Sequence, residues 1–290
     1  MCDEHIHQGL THDPTMTRRS FGVSAAAAVA LAAAPSFARA DTKVVERDVD
    51  IKTADGTADA ALFYPEGKGP WPAVLLWTDI LGLRPVFRDM GRDLASQGYV
   101  VLIPNPFYRV QRAPVVSGSF DFNKPEDRNK VMPMAGTITQ ANSMADSVTY
   151  IAYLDTLPQT NKKKKAGVQG YCMGGPLTFR TAAAVPNRIG AAATFHGGGL
   201  VTDKPDSPHL LIPKMKCEAY CAVAANDDQR EPESKNVLKN TFADNHLKAR
   251  VEVYEGAQHG WSVKGSAVYN QASAERGWTN LTDLYKRDLA

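Results

Sequence analysis

Short apolar runs alternate with longer segments of helical character along most of the chain, and this alternation constrains the fold more than any other feature. Runs bounded by glycine and proline are typical of strands buried on both faces, and helices between them indicate a parallel sheet. The predicted strands are 44–51, 58–64, 73–77, 99–104, 167–171, 190–195, 219–224 and 250–254. Asp55-Gly56 joins the first two and predicts an antiparallel hairpin. The pattern therefore predicts an α/β fold, a three-layer sandwich around a mostly parallel eight-stranded sheet.

Helices are predicted at 86–96, 138–157, 173–184, 232–245 and 267–289, between or after the strands. Residues 107–136 interrupt this alternation of strands and helices, because they are rich in proline, glycine, asparagine and charged residues. Long loops in compact domains usually carry function, which favours an active-site flap over the alternative of an unstructured insertion. No internal repeat or linker is visible, so residues 41–290 are predicted to form a single domain.

The first forty residues have the pattern of an export signal. Arg18 and Arg19 lie in a segment that resembles a twin-arginine signal, and an alanine-rich apolar stretch leads to the small-x-small sequence of residues 38–40. The sequence predicts removal of residues 1–40 and a periplasmic or secreted protein without stable membrane insertion. A retained membrane anchor is the alternative.

Charge and motif content argue against several functional classes. The net charge of +2 is too small for a nucleic-acid surface, and the basic run 162–165 is predicted to be a solvated loop. There is no metal-spaced cluster of histidine and cysteine and no dinucleotide-binding glycine motif after an early strand. We therefore expect no metal and no organic cofactor, a small-molecule partner, and a monomer or homodimer.

Three cysteines remain after the predicted leader. Cys217 lies just before one predicted strand and Cys221 lies within it, and an extended chain separates them by roughly 13 Å, too far for a disulfide. They are predicted to be small buried side chains. Cys172 stands apart from this pair.

Cys172 lies where a predicted strand runs directly into a predicted helix. The sequence of residues 170–174 is Gly-Tyr-Cys-Met-Gly, a nucleophile elbow with cysteine in place of serine. The flanking glycines leave room for a sharp turn, and the helix N-terminus favours a thiolate. A buried structural cysteine is the alternative reading. The context favours a nucleophile.

A base and an orienting acid follow in the chain order that this type of fold uses. His259 comes a few residues after the last predicted strand, at the sheet edge where the elbow opens. Asp227 and Asp228 follow the preceding strand. Either aspartate could orient His259, and a turn or capping carboxylate is the alternative for each.

Several motifs in order resemble the dienelactone hydrolase family over about residues 71–261. They are Gly-Tyr-Cys-Met-Gly-Gly around Cys172, Asp-Ile-Leu-Gly-Leu from Asp79 followed by Arg88-Asp89, Asn-Pro-Phe-Tyr-Arg at 105–109, Asp228 four residues before Pro232, and the His259 loop. The resemblance implies an α/β-hydrolase fold and hydrolysis of an ester or lactone. It also implies a triad of Cys172, Asp228 and His259 acting through a thioester.

The resemblance implies roles for further site residues. A family glutamate at the Asp79 position contacts the thiol and helps to form the thiolate, and here this side chain is one methylene shorter. Arginines near the Arg88 and Arg109 positions bind a substrate carboxylate, and Tyr108 lies beside the second. We expect the thiol to be activated mainly by His259 and the helix N-terminus, with Asp79 a secondary influence. Ordinary ion pairs are the alternative for both arginines.

The oxyanion hole is predicted from position in the fold. Backbone N–H groups of Ile80 and Met173 are the expected donors, from the third-strand loop and the elbow. His196 begins a His-Gly-Gly-Gly sequence like the oxyanion motif of lipases, but it follows the sixth predicted strand. We therefore predict a pocket wall there, with His196 near the substrate.

Two rival functions stay open at this point. A secreted, non-catalytic ligand-binding protein could keep the fold without hydrolysis, although an intact Cys, Asp and His argue against it. A thiol redox enzyme is disfavoured because Cys172 has no second cysteine two or three positions away.

Overall fold

A computed structural model describes residues 42–289, so the predicted leader lies outside the described residues. Eight strands form one sheet in the order β1-β2-β4-β3-β5-β6-β7-β8. The strands are β1 Val44–Thr53, β2 Gly56–Pro65, β3 Ala73–Trp77, β4 Val100–Pro104, β5 Ala166–Tyr171, β6 Ile189–Phe195, β7 Glu218–Ala224 and β8 Ala249–Tyr254. Strand β2 is antiparallel to β1 and β4, and the other pairs are parallel. The predicted sheet is confirmed, including the hairpin at Gly56.

Helices cover both faces of this sheet. They are α1 Pro85–Ser96, α2 Pro125–Gly136, α3 Gln140–Thr156, α4 Gly174–Ala184, α5 Ala225–Arg230, α6 Ser234–Asp244 and α7 Gln271–Asp288. Successive side chains of a strand point to opposite faces, so Val74 packs with α1 and α7 while Leu75 packs with α3, α4 and α6. The two apolar layers make the predicted three-layer sandwich. A short 3₁₀ helix, Pro208–Lys214, and α2 and α5 had no predicted counterpart.

The insertion at 107–136 is folded, so the alternative of an unstructured segment is wrong, and the favoured role as an active-site flap stays a prediction. It contains α2, which begins with Pro125 in its first turn and acidic side chains behind it, an arrangement favoured at helix N-termini. A third apolar cluster joins this segment to the loop after β3 and consists of Ile80, Leu81, Phe107, Val115, Phe120, Phe122, Val131 and Met134. The insertion therefore packs on the loop that carries the predicted oxyanion donor.

Cys217 and Cys221 are buried beside and within β7 and form no disulfide, as predicted. Burial raises the pKa of each thiol to about 12. Both thiols are therefore neutral and poorly nucleophilic near pH 7.

Within residues 42–289, no helix has the length and apolar character needed to cross a membrane. The same residues contain no group of three or more His, Cys, Asp or Glu side chains placed to hold a metal ion.

Candidate active site

Cys172 occupies a sharp turn between β5 and α4. Its φ of 52° lies in the left-handed region, which is strained for a side chain with a Cβ and is often found at functional sites. Glycine is required at positions 170 and 174 because neighbouring backbone approaches both residues closely. A Cβ on Gly170 would lie 2.0 Å from the carbonyl oxygen of Gly174, and a Cβ on Gly174 would lie 2.7 Å from that of Thr78. The predicted elbow is therefore formed, with the start of α4 directly against the end of β3.

Backbone hydrogen bonds tie this elbow to the end of β6. The N–H of Cys172 donates to Phe195 O at 3.1 Å, and the N–H of Gly198 donates to Cys172 O at 3.3 Å. His196 lies between these anchors with a φ of 39°. The two residues with positive φ thus lie at the ends of adjacent strands, and the backbone of Cys172 bonds to residues on both sides of His196.

His259 is fully buried on the loop after β8. Three contacts join this loop to the start of α5, which directly follows β7. His259 Nδ1 lies 2.7 Å from Asp227 Oδ2, and its backbone N–H donates to Asn226 Oδ1 at 2.8 Å. The N–H of Ala225 donates to Ala257 O at 2.8 Å. Among the described residues, His259 Nε2 has no hydrogen-bond partner although it is buried. The loop therefore holds the imidazole by Nδ1 and leaves Nε2 available.

The prediction that Asp228 orients His259 is wrong, and Asp227 makes this contact instead. Both aspartates lie in the first turn of α5, because β7 runs into this helix without an intervening loop. Successive residues of a helix point about 100° apart, so the two carboxylates diverge. Asp228 turns toward α6, where Lys235 Nζ approaches its two oxygens at 2.6 and 2.8 Å. Counting back from Pro232 does not reveal this rotation.

His196, which the sequence predicts to lie near the substrate, is buried directly against His259. The two ring centroids are 5.0 Å apart in an edge-to-face arrangement, and His196 Nε2 lies 2.9 Å from Ser262 Oγ. Burial, and then the nearby His259, hold the pKa of His196 well below its ordinary value. His196 is therefore neutral at the pH at which an unperturbed histidine begins to gain a proton.

The loop after β3 brings Ile80 and Asp79 to the elbow. Ile80 is fully buried in the third apolar cluster, and Met173 packs against the same cluster. Asp79 is also buried, and Arg84 Nη1 and Nη2 contact its two oxygens at 2.6 and 2.7 Å. Sequence reasoning missed Arg84. Its one visible signal is that it stands five residues after Asp79 and directly before Pro85, the first residue of α1.

Comparisons with known proteins identify the family and the fold. The sequence model of the dienelactone hydrolase family matches residues 58–289. The chain belongs to this family. The carboxymethylenebutenolidase of Pseudomonas putida is 25% identical over 226 residues, 78% of this chain and 90% of that protein. Two solved structures share the fold and each covers 85% of this chain and 99% of the other. A dienelactone hydrolase-like promiscuous phosphotriesterase from metagenomic libraries has a TM-score of 0.69 at 20% identity. The dienelactone hydrolase of Anabaena variabilis has a TM-score of 0.62 at 15% identity.

The arginines that family resemblance assigned to substrate binding form ion pairs in this dienelactone hydrolase family member, as the alternative for both had it. Arg88 pairs with Glu46 and Asp48 on β1. Four inter-strand steps separate β1 from β5, a distance of about 19 Å at the usual strand spacing. These contacts direct the Arg88 side chain away from the elbow.

Arg109 and Tyr108 contribute to a separate polar network at the β1–β2 hairpin. Arg109 binds Asp146 of α3 with two hydrogen bonds of 2.8 and 2.9 Å and also pairs with Asp55. The hydroxyl of Tyr108 donates to Asp146 at 2.8 Å and also contacts Thr53. The structure thus engages both side chains in joining the hairpin to α3, and their contact with substrate stays a prediction.

Proposed function

We propose that this chain hydrolyses a carboxylic ester or lactone with Cys172 as nucleophile, His259 as general base and Asp227 as the orienting acid. The thiol of Cys172 gives its proton to His259 Nε2 while the sulfur attacks the substrate carbonyl. The alcohol or enol then leaves with that proton, and a thioester remains on Cys172. His259 next removes a proton from water, which attacks the thioester and releases the acid and the thiol.

The buried contact between Asp227 and His259 is the observation that carries this proposal. A carboxylate can only accept a hydrogen bond, so a contact of 2.7 Å assigns the proton to Nδ1. The lone pair of the neutral imidazole is then on Nε2, the atom without a protein partner among the described residues. This is the tautomer that a general base requires, and Asp227 also stabilises the imidazolium that forms.

Backbone amides supply the proposed oxyanion hole. The N–H of Met173 lies at the first turn of α4, where helix N–H groups have no partner within the helix. Ile80 packs in the cluster that Met173 contacts, and the start of α4 abuts β3 through Gly174. These contacts support Ile80 and Met173 N–H as the two donors to the developing oxyanion.

Replacement of Cys172 tests the proposal. We expect Cys172→Ala to lower kcat/KM for a chromogenic aryl ester by several orders of magnitude, since it removes the covalent step. Cys217→Ala is the matched control, because it removes a buried thiol beside another part of the sheet. Acid-quenched wild type should carry an acyl mass on the peptide that contains Cys172. Near wild-type turnover by Cys172→Ala would overturn the proposal. Ligand binding without turnover of any ester or lactone in a panel would favour the non-catalytic alternative.

A further inference from the structure

The loop after β3 is closed by two hydrogen bonds of its own. Leu81 N–H donates to Asp79 Oδ1 at 2.9 Å, and Gly82 N–H donates to Asp79 O at 3.0 Å. Gly82 takes the left-handed φ of 72° that this turn requires. We name residues 79–82 the oxyanion loop. The N–H groups of Leu81 and Gly82 are thus bonded within this loop. The N–H of Ile80 takes part in neither bond.

Arg84 fastens both ends of the oxyanion loop. Its guanidinium binds both carboxylate oxygens of Asp79, and Nη1 also donates to Gly82 O at 3.2 Å. The pair is well shielded, with 12% of the Arg84 side chain and 1% of the Asp79 side chain exposed. The Arg84 guanidinium lies over the ring of Phe87, 4.8 Å from its centroid. A planar fork held in this way resists rotation, so the loop is fixed from both sides.

We infer that Asp79 and Arg84 are positioning residues that hold the oxyanion loop in the shape that presents the Ile80 N–H to the substrate carbonyl. The inference rests on the proposed function and deepens it, because it assigns this pair to transition-state stabilisation. An oxyanion hole works only when its donors are fixed before the charge develops. The carboxylate of Asp79 is the acceptor for the loop and for Arg84 together. Its shorter side chain suits this turn, since Oδ1 reaches the N–H two residues ahead.

Thiol activation and oxyanion positioning give different signatures, which allows a decisive experiment. Iodoacetamide alkylation needs the thiolate of Cys172 but forms no oxyanion. A trifluoromethyl ketone, by contrast, forms a tetrahedral adduct on the sulfur with a charged oxygen in the hole. Loss of a positioning residue should therefore raise the Ki of the ketone and lower kcat, with KM and the pH profile of alkylation nearly unchanged.

Arg84→Met is the first variant, because it keeps an apolar stem over Phe87 and removes the guanidinium. The double variant Asp79→Asn with Arg84→Met is the second, because it leaves no uncompensated buried charge if the single variant folds poorly. Arg188→Met is the matched control. Arg188 binds Asp155 in a partly shielded pair, with 14% and 29% of the side chains exposed, just before β6 and thus at the opposite end of the parallel strands from Cys172.

We expect both Arg84 variants to lower kcat and to raise the ketone Ki by about tenfold or more, below the 10²–10³ lost when a donor is removed outright. Arg188→Met should keep both values near those of wild type. A Ki that changed less than about tenfold in the two Arg84 variants would overturn the inference. If instead wild-type hydrolysis did not depend on Cys172, the proposed function would fail, an outcome that the Cys172→Ala variant reports separately.

Discussion

Asp227 and Asp228 offer a test in which neighbouring residues of the same type are expected to differ by orders of magnitude. In Asp227→Asn, the amide can offer its NH₂ group to His259 Nδ1, which then must accept a hydrogen bond. The imidazole proton would move to Nε2, and this nitrogen could no longer take the proton of Cys172. Both acylation and hydrolysis of the thioester need the lone pair of Nε2, so both steps should slow.

The size of the effect follows from the geometry. Where an acid orients a triad histidine from a buried position, the matching amide lowers kcat by about 10⁴, which corresponds to about 5.4 kcal/mol in transition-state stabilisation. The Asp227 contact has this character, since His259 is fully buried and Asp227 Oδ2 lies 2.7 Å from Nδ1. Asp228 has a different role. Its pair with Lys235 is partly exposed, and such pairs contribute about 0.2–1 kcal/mol to stability.

The assay is kcat/KM for a chromogenic aryl ester, with thermal unfolding of each variant as the check on folding. We expect Asp227→Asn to lose about four orders of magnitude and Asp228→Asn to stay within about threefold of wild type. Pre-steady-state traces should show that acylation itself is slow in Asp227→Asn. The opposite ranking of the two variants, with both folded, would refute the assignment of Asp227 and the reasoning from its contact.

Two further predictions concern close packing and buried thiols. Gly174→Ala should destabilise the fold by about 1–3 kcal/mol and lower kcat/KM, because the new Cβ would lie 2.7 Å from Thr78 O. Gly136→Ala, whose Cβ would meet nothing within 4 Å, should be neutral or stabilising by up to about 1 kcal/mol in the same unfolding and rate assays, and equal effects would contradict the packing argument. The raised pKa of about 12 at Cys217 and Cys221 predicts that the free energy of unfolding falls above pH 9, by up to about 1.4 kcal/mol per pH unit and thiol, because the unfolded thiols lose their protons first. Denaturant titrations from pH 8 to pH 10.5 should show a shallower fall when both are replaced by alanine, and an unchanged slope would contradict the pKa shifts.

The sheet and the elbow were predictable because both follow from local patterns. Apolar runs between glycine and proline mark strands buried on both faces, and all eight strands appear within two residues of the predicted ends. Gly170 and Gly174 predict the sharp turn because no other residue fits so close to neighbouring backbone. Helix α2 was missed because its segment is polar and contains Pro133. It folds because its Val131 and Met134 join Phe120 and Phe122 in the apolar cluster that contains Ile80 and Leu81 of the oxyanion loop, and no local pattern reveals this packing.

The ion-pair partners of charged side chains could not be predicted from the sequence. They depend on the local direction of the backbone, which the spacing of residues along the chain does not give. Arg84 and Arg88 are four residues apart, a spacing that places two side chains on the same face of a helix. Arg84, however, is the N-cap of α1 and has an extended backbone with φ of −151° and ψ of 174°. Its side chain therefore leaves the helical face and reaches back to Asp79, while Arg88 reaches Glu46 on β1. The motif that resembles the family places an arginine in α1. The start of this helix determines which arginine contacts Asp79. In this chain, the residue just before the helix contacts the oxyanion loop, and the residue within it joins the helix to the edge of the sheet.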